Sequence, residues 1–304
     1  MTVTYVGIDL GTTNSAICSF DGDSLRLHKS PEQNDVTPSV IFFDGRGHRF
    51  VGQRAYMNAP ISPDSAAMLF KRLMGTSTPV LIPSAGLSLT PEQCSAEILR
   101  VLFSYLPEEA RQAGVAGTII TVPAAFNQMQ KESTLLAAEE ASLGKVLLLQ
   151  EPVAAVMSVM RANTHDGRFL IYDLGGGTLD IALAESVGGR VTLLAHGGIA
   201  MCGGRDFDRL IVQRIVQPWL HQHFSLPEDV LEQTQYRALS RLSTRAAELA
   251  KIDLSGREEA VISLSDVELR MRDEAGREMY LDIPLSREAL TALIRAELDD
   301  SVQA

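Results

Sequence analysis

Two segments of the chain share one pattern of hydrophobic and polar positions. In each segment an apolar run ends in Asp and Leu, a turn of small and polar residues follows, and a second apolar run begins. The segments read Val6-Gly7-Ile8-Asp9-Leu10-Gly11-Thr12-Thr13-Asn14-Ser15-Ala16-Ile17 and Leu170-Ile171-Tyr172-Asp173-Leu174-Gly175-Gly176-Gly177-Thr178-Leu179-Asp180-Ile181. Each predicts a strand, a tight turn and a returning strand, so the chain contains a duplicated hairpin.

Strand-like and helix-like stretches alternate between the two hairpins. Short apolar runs predict strands over 24–27, 40–43, 49–51, 117–122 and 146–149, the last fully buried because its apolar run is unbroken. Helices are predicted over 66–73, where Gly75 stops the helix, and over 153–160 after Pro152. This alternation favours a doubly wound α/β sheet over an all-α or all-β domain.

Two further helices of the first half have recognisable starts. Thr90 is followed by Pro91 and, three residues after Thr90, by Gln93, which is the pattern of a capped helix. Its expected inward face carries Ile98, Leu99, Leu102 and Phe103. Asn127 is expected to cap the next helix. The residues of that helix expected to face inward are Leu135, Leu136 and Leu143.

After the second hairpin the pattern becomes more helical. A third strand is predicted over 190–195, followed by Gly203-Gly204, a long helix from Asp206 and a second long helix over 230–251. A β-ribbon is predicted over 261–283, and Ser286 is expected to cap a final helix. The apolar faces of the first and last of these helices are formed by Leu210, Ile211, Ile215 and Trp219, and by Leu290, Leu293, Ile294 and Leu298.

Composition narrows the classes of function. The 304 residues suffice for two domains, and the formal charge of −11 argues against a general surface for nucleic acid or anionic membranes. Three widely spaced cysteines encode neither a disulfide framework nor a zinc site, which fits a reducing cytosol. No basic stretch followed by an apolar core opens the chain, and no apolar run approaches ~18 residues. We therefore expect a cytoplasmic protein with no secretory signal and no membrane span.

The chemistry of the duplicated turn points to an anion. Glycine permits close backbone approach, and threonine hydroxyls and backbone N–H groups can converge on phosphate oxygens. Asp9 and Asp173, at the strand tips, offer hard oxygen ligands for a divalent cation. Two facing copies would hold a metal-bound polyphosphate between two lobes. The second turn leads into a strand, whereas dinucleotide folds and P-loops need a helix at that point.

Six motifs in order then identify a family. Besides the two hairpins they are Phe70-Lys71-Arg72-Leu73-Met74-Gly75, Thr121-Val122-Pro123-Ala124-Ala125-Phe126-Asn127, Glu151-Pro152-Val153-Ala154-Ala155 and Gly203-Gly204-Arg205-Asp206-Phe207-Asp208. Together they resemble the actin-like ATPase domain of DnaK-type 70-kDa heat-shock chaperones over almost the whole chain. The stretch 70–76 looks most like the HscC branch.

The resemblance implies roles for particular residues. Asp9 and Asp173 would hold Mg²⁺, Lys71 would stabilise charge on the transferred phosphoryl group, and Glu151 would orient a metal-bound water. Asp180, with Thr178, would act on the hydrolytic water. The phosphates of ATP or ADP would be bound by Gly11, Thr12, Thr13, Asn14, Gly175, Gly176, Gly177, Thr178, Gly203 and Gly204. Adenosine contacts would come from Glu248, Lys251 and Ser255.

The chain departs from the family pattern at three positions. Lys131 stands in place of an arginine that works with Pro123 to relay nucleotide state, and lysine lacks the planar donor fork. Ile252 replaces an arginine that stacks on adenine, which weakens the expected binding of the base. Arg205 replaces a glutamate.

The resemblance also implies a domain plan of duplicated lobes with a ribonuclease H-like fold. The first lobe would cover 1–163, with a core sheet from 1–39 and 92–163 and a peripheral subdomain over 40–91. The second lobe would cover 164–304, with the phosphate hairpin and a partial sheet over 164–203 and a helical and β-ribbon subdomain over 204–304. Residues 165–168 would form the hinge. Because family members continue with further strands, a returning helix, a linker and a peptide-binding domain, the second lobe is expected to be incomplete here.

Three functions are compatible with these observations. The first is an ATPase module that hydrolyses the γ-phosphate with water and works with a co-chaperone or nucleotide-exchange partner. The second is a catalytically impaired module for nucleotide binding or protein interaction, which Ile252 favours. The third is a sugar or acetate kinase of the same superfamily, for which no acceptor-site motif is found.

Overall fold

The computed structural model describes residues 4–162, 166–200 and 202–303. Its strands are β1 (Tyr5–Asp9), β2 (Asn14–Phe20), β3 (Leu25–His28), β4 (Thr37–Pro38), β5 (Val40–Phe43), β6 (Arg49–Val51), β7 (Ala66–Met68), β8 (Val80–Ile82), β9 (Leu87–Leu89), β10 (Gly117–Val122), β11 (Val146–Gln150), β12 (Gly167–Leu174), β13 (Thr178–Val187), β14 (Arg190–Ala200), β15 (Glu259–Leu264) and β16 (Leu281–Ser286). Its helices are α1 (Gln53–Asn58), α2 (Pro91–Ser104), α3 (Glu108–Ala113), α4 (Gln128–Glu140), α5 (Glu151–Ala162), α6 (Gly204–Ile211), α7 (Gln217–His223), α8 (Arg237–Asp253), α9 (Asp266–Leu269) and α10 (Arg287–Gln303).

The chain divides into two compact units. The first comprises Met1–Asp173 and Asp180–Gly197, and the second comprises Leu174–Leu179 and Gly198–Ala304. The proposed lobe boundary at 163/164, and His165 of the expected hinge, lie outside the described residues.

A mixed sheet with the order β11-β10-β1-β2-β3 forms the centre of the first unit, and β4 pairs with β2. β1 is antiparallel to β2 and parallel to β10, and β10 is parallel to β11. Alternate residues of β1 and β10, such as Ile8 and Ile120, enter a core that also contains Ile98 and Leu99 of α2. The parallel pairing aligns Asp9 with Thr121, so polar groups meet at one end of the sheet.

Both hairpins of the duplicated pattern are confirmed. β1 and β2 form the first, and β12 and β13 form the second, with β14 completing a three-stranded sheet in the order β12-β13-β14. β14 runs to Ala200, five residues beyond the predicted end. The predicted strand at 117–122 is also present as β10.

The predicted helix starts are confirmed in atomic detail. Thr90 Oγ1 accepts a hydrogen bond from the Gln93 amide, and the Gln93 side chain accepts one from the Thr90 amide. Asn127 and Gln130 exchange the same pair of bonds at the start of α4. Such reciprocal capping satisfies amides that a helix leaves without internal partners.

The helix predicted over 66–73 is wrong. Ala66–Met68 is strand β7, which pairs antiparallel with β5, and Phe70–Leu73 forms a 3-10 turn. Leu69 separates them with φ of +59°, a left-handed conformation that an α-helix does not accommodate. Pairing with β5, in which Ile41 lies opposite Ala67, 26 positions later, overrides the local helical pattern.

Two predictions of burial in the first unit are also wrong. Leu135 and Leu136 are exposed, since α4 packs through the small residues Ser133, Thr134, Ala137 and Ala138. Leu143 is buried as predicted. The run 146–149 is not a fully buried strand, because β11 lies at the edge of the sheet and Leu147 is exposed.

The second unit has its own apolar core. It is built from α6 to α8, the ribbon of β15 and β16, and the start of α10. Ser286 accepts a hydrogen bond from the Ala289 amide, as expected of a cap. The helix predicted over 230–251 begins only at Arg237, because residues 227–233 close into hydrogen-bonded turns.

No helix within the described ranges is both long and apolar enough to cross a membrane.

Candidate functional site

Lys71 is a buried cation of the first unit. It lies in the 3-10 turn after β7, and its side chain is 7% exposed. Its Nζ donates a hydrogen bond to Glu151 Oε1 at 3.0 Å, and Nζ lies 5.5 Å from the centre of the Phe126 ring. Burying an ammonium without a partner costs much free energy, so the carboxylate of Glu151 is needed to keep Lys71 in this buried position.

The turn that carries Lys71 is fastened to two helices. The Gly75 amide donates to Ser133 Oγ on α4 at 3.0 Å, and Ser133 Oγ in turn donates to Glu92 on α2. Ser95 of α2 donates to the sulfur of Met74. These bonds hold the segment directly after the turn and so restrict the position of Lys71.

Carboxylates crowd around the lysine. Burial raises the pKa of Glu151 above its usual range; Lys71 opposes this, and the negative charges of Asp9 and Asp173 add to the rise. Burial also raises the pKa of Asp173, with further contributions from Asp180 and Asp9 and opposition from Lys71. Carboxylates such as Glu151 and Asp173, whose pKa is raised by burial and by neighbouring negative charge, mark a place where a cation would bind favourably.

A small hollow adjoins these carboxylates within the first unit. Glu151, Asp173, Asp180 and His196 line it together with apolar residues such as Pro152. Asp9 is oriented separately, since its Oδ1 accepts a hydrogen bond from Thr121 Oγ1 at 2.8 Å. The structure therefore brings together Asp9 and Asp173, predicted as metal ligands, with Lys71, Glu151 and Asp180, predicted as catalytic residues. Thr178, also predicted as catalytic, belongs to the second unit.

Two serines bond to the backbone of the first turn. Ser39 Oγ donates to the Gly11 carbonyl, and the Gly11 amide donates to Ser15 Oγ. A side chain at Gly11 would meet the Asn14 carbonyl at 2.0 Å, so the turn requires glycine. Thr13 Oγ1 is buried, and no hydrogen-bond partner for it exists among the residues that the structure describes. A buried hydroxyl without a partner suits a ligand oxygen.

The second turn, in the second unit, is hydrogen-bonded to the start of α6, where Gly203 is the N-cap and Gly204 the first helical residue. The Gly204 amide donates to the Gly175 carbonyl at 3.0 Å, and the Arg205 amide donates to the Gly176 carbonyl at 2.9 Å. A Cβ at Gly203 would lie 2.5 Å from the Gly177 nitrogen, closer than any real contact. The motif at 203–208 thus packs directly on the predicted phosphate turn.

The residues predicted to contact adenosine all lie at the end of α8 or just after it. Glu248 and Lys251 are partly buried, whereas Ser255 is exposed. Lys251 Nζ is paired with Asp208 Oδ1 at 2.5 Å and donates to the Gly204 carbonyl at 2.6 Å. Ile252 is 56% exposed and is not part of the apolar core of the second unit.

A comparison with family models decides the affiliation of the chain. The model described as "Hsp70 protein" matches residues 5–304. The chain belongs to the Hsp70 family. The predicted resemblance to DnaK-type chaperones is therefore confirmed, and so is the fold class, an α/β fold of the actin-like ATPase type.

This Hsp70 chain is also similar to the Chaperone protein DnaK of Mycoplasmoides gallisepticum (strain R(low / passage 15 / clone 2)). The two are 35% identical over 279 residues, which make up 91% of this chain and 46% of that protein. The chain thus spans about half the length of the curated relative that it matches.

Four residues of this Hsp70 chain escaped prediction although they shape the site. Ser39 and Ser133 hold the first turn and the Lys71 segment, His196 lines the hollow, and Asp208 pairs with Lys251. Serine and histidine carry no sequence signal for such roles. Asp208 does stand in a quoted motif, and its position one helical turn inside α6 was the available clue.

Proposed function

We propose that the chain is the ATPase module of a DnaK-type chaperone of the HscC-like branch, which binds Mg-ATP with residues of both units and hydrolyses the γ-phosphate. The observation that carries the proposal is the buried Lys71–Glu151 pair set among the carboxylates of Asp9 and Asp173. In phosphoryl transfer the protein contributes mainly positioning and electrostatic stabilisation, and this group offers both.

The residues present fit a phosphate chain with its cation. Asp9 and Asp173 would hold Mg²⁺, since each is a hard oxygen donor and the charge of Asp9 raises the pKa of Asp173. A bound Mg²⁺ neutralises charge on phosphate oxygens. The orphan hydroxyl of Thr13 and the amides of Gly175 to Thr178 would bind the phosphates, together with Gly11, Thr12, Asn14, Gly203 and Gly204.

The remaining side chains divide the chemistry among them. Lys71 brings a positive charge to the γ-phosphate oxygens, where negative charge develops. Glu151 is oriented by its bond to Lys71 and would hold the attacking water through its other oxygen. Asp180 accepts a hydrogen bond from that water, with Thr178 beside it in the chain. No covalent intermediate on the protein is required, because water is the acceptor.

Steady-state phosphate release from Mg-ATP tests this proposal. We expect Asp9→Asn and Lys71→Ala to lower the rate about 100-fold or more, the scale for loss of an electrostatic catalytic group. Glu185→Gln removes a carboxylate from the Arg168 ion pair of the same unit and serves as the matched control with an unchanged rate. If the unaltered chain is as inert as the two site variants, the hydrolysis proposal is wrong.

A second candidate is a module that binds nucleotide without hydrolysing it. The exposed Ile252 favours it, because an aliphatic side chain gives adenine no cationic stacking partner. Calorimetric titration with Mg-ADP and Mg-ATP distinguishes the two. Binding of both nucleotides without phosphate release would select this second function.

A further inference from the structure

A buried ion pair of the second unit joins α6 to α8 next to the Gly204 backbone. Asp208 is on α6, and its side chain is 3% exposed, whereas Lys251 on α8 is 20% exposed. Their charged atoms, Oδ1 and Nζ, are 2.5 Å apart. Burial raises the pKa of Asp208 to about 6, Lys251 opposes this rise, Glu248 adds to it and Arg205 opposes it. An ion pair buried to this extent restricts both side chains to one geometry.

Lys251 connects the ion pair to the backbone of Gly204. Besides its contact with Asp208, Nζ donates to the Gly204 carbonyl at 2.6 Å. The ammonium therefore joins an ion pair with Asp208 to a hydrogen bond with the backbone of Gly204. Without Asp208 the lysine would be a flexible chain with several rotamers, and its bond to Gly204 would lose its anchor.

Gly204 in turn holds the predicted phosphate turn. Its carbonyl accepts from Lys251, while its own amide donates to the Gly175 carbonyl at 3.0 Å. The next amide, that of Arg205, donates to the Gly176 carbonyl at 2.9 Å. One continuous series of polar contacts therefore runs from the Asp208 carboxylate to the backbone of Gly175 and Gly176.

We propose that Asp208 is a positioning residue: through Lys251 it fixes the Gly203–Gly204 backbone, and thereby the Gly175–Gly177 turn, in the geometry that binds a nucleotide. The inference rests on the proposed nucleotide-binding function of the two turns. It gives Lys251 a second task, since the same ammonium that would meet the nucleoside also holds the phosphate turn. Asp208 itself touches no ligand in this account.

Hydrogen exchange of the nucleotide-free chain tests the structural half. We expect Asp208→Asn to speed exchange of the Gly204 and Arg205 amides at least tenfold, because their bonds to Gly175 and Gly176 open more often. Lys251→Met should have the same effect, and the double variant should exceed neither single one. Unchanged exchange in Asp208→Asn, or additive effects in the double variant, overturns the inference.

The matched control is a second buried carboxylate of the same unit. Asp273 pairs with Arg277 at 2.7 Å and has a fully buried side chain, yet it belongs to a turn apart from the glycine motifs. Asp273→Asn should leave the exchange of the Gly204 and Arg205 amides unchanged. If it speeds them equally, general loosening of the unit explains the effect and the inference is overturned.

Calorimetric titration with Mg-ADP tests the functional half. We expect binding to weaken about tenfold or more in Asp208→Asn and to stay unchanged in Asp273→Asn. Loss of amide protection with unaltered ADP affinity overturns the positioning role. If the unaltered chain binds no Mg-ADP although the exchange responds as expected, the proposed function fails and the connection between Asp208 and the phosphate turn stands.

Discussion

Replacing Lys71 with methionine should separate the stability of the first unit from its catalysis. The substitution keeps a long apolar stem but leaves the Glu151 carboxylate, 20% exposed, without its partner at 3.0 Å. Removing one member of a buried pair costs about 3–5 kcal/mol. Glu151 is partly exposed and can take up a proton, and both properties reduce the cost of leaving its charge unpaired. We therefore expect a loss in unfolding free energy near the lower end of this range, about 3 kcal/mol.

The loss should depend on pH. Without Lys71 the pKa of Glu151 rises further, so the folded protein retains a proton that the unfolded chain releases above its ordinary pKa of about 4.3. The unfolding free energy of Lys71→Met should therefore fall, relative to the unaltered chain, as the pH rises from about 5 to 8. Urea unfolding at several pH values, followed by circular dichroism, measures it.

Two further variants complete the experiment. The exposed pair Arg168–Glu185 also spans 3.0 Å, so Arg168→Met matches the chemistry without the burial and should cost no more than about 1 kcal/mol. Adding Glu151→Gln to Lys71→Met should recover at least half of the lost stability and none of the phosphate release. If Lys71→Met lowers the unfolding free energy no more than Arg168→Met does, the argument that burial makes the Lys71–Glu151 pair important for stability is refuted.

Three other outcomes are expected. Gly203→Ala should abolish detectable Mg-ADP binding in calorimetry, because its Cβ would lie 2.5 Å from the Gly177 nitrogen in the second turn. Gly256→Ala should leave binding unchanged, because the nearest atom to its Cβ, the Asp253 carbonyl oxygen, is 4.0 Å away. Since burial raises the pKa of Asp208 from 3.8 to about 6, this group lowers the unfolding free energy as pH increases from about 4 to 6, and urea titrations should show a smaller fall in Asp208→Asn than in the unaltered chain. Ile252→Arg should tighten Mg-ADP binding several-fold through a stacked cation, with little change in melting temperature because Ile252 is exposed; unaltered affinity would contradict that role.

Local signals allowed much of the fold to be predicted. The capping sequences at Thr90 and Asn127 act within three residues, so they specify helix starts whatever the rest of the chain does. The duplicated hairpins are equally local, since each strand returns to its neighbour after a short turn.

The errors arose where distant contacts decide the outcome. Residues 66–68 form a strand because β5 offers a partner, which the local pattern cannot reveal. Leu135 and Leu136 are exposed because small residues on α4 permit a close approach to α2.

In the candidate site, too, local motifs were predictable and contacts between distant residues were not. Motifs predicted Lys71 and Glu151, whose pairing the structure displays, but the anchoring of the lysine segment through Ser133 joins parts of the chain that no motif spans. The pairing of Asp208 with Lys251 likewise connects residues 43 positions apart, on two different helices. Motifs therefore named the residues expected to meet the ligand more readily than those that hold them.

The long reach of the contacts around Lys71 has a consequence for the order of folding. Lys71 and Glu151 are separated by 80 positions, Gly75 and Ser133 by 58, and Asp9 and Thr121 by 112. Contacts between such distant segments form slowly, because the intervening chain must first be brought together. During synthesis the ammonium of Lys71 has no partner until β11 and the start of α5 have emerged. Burial of that ammonium beside Glu151 therefore follows the synthesis of all residues through 151, and a probe at the turn would report when these segments of the first unit dock.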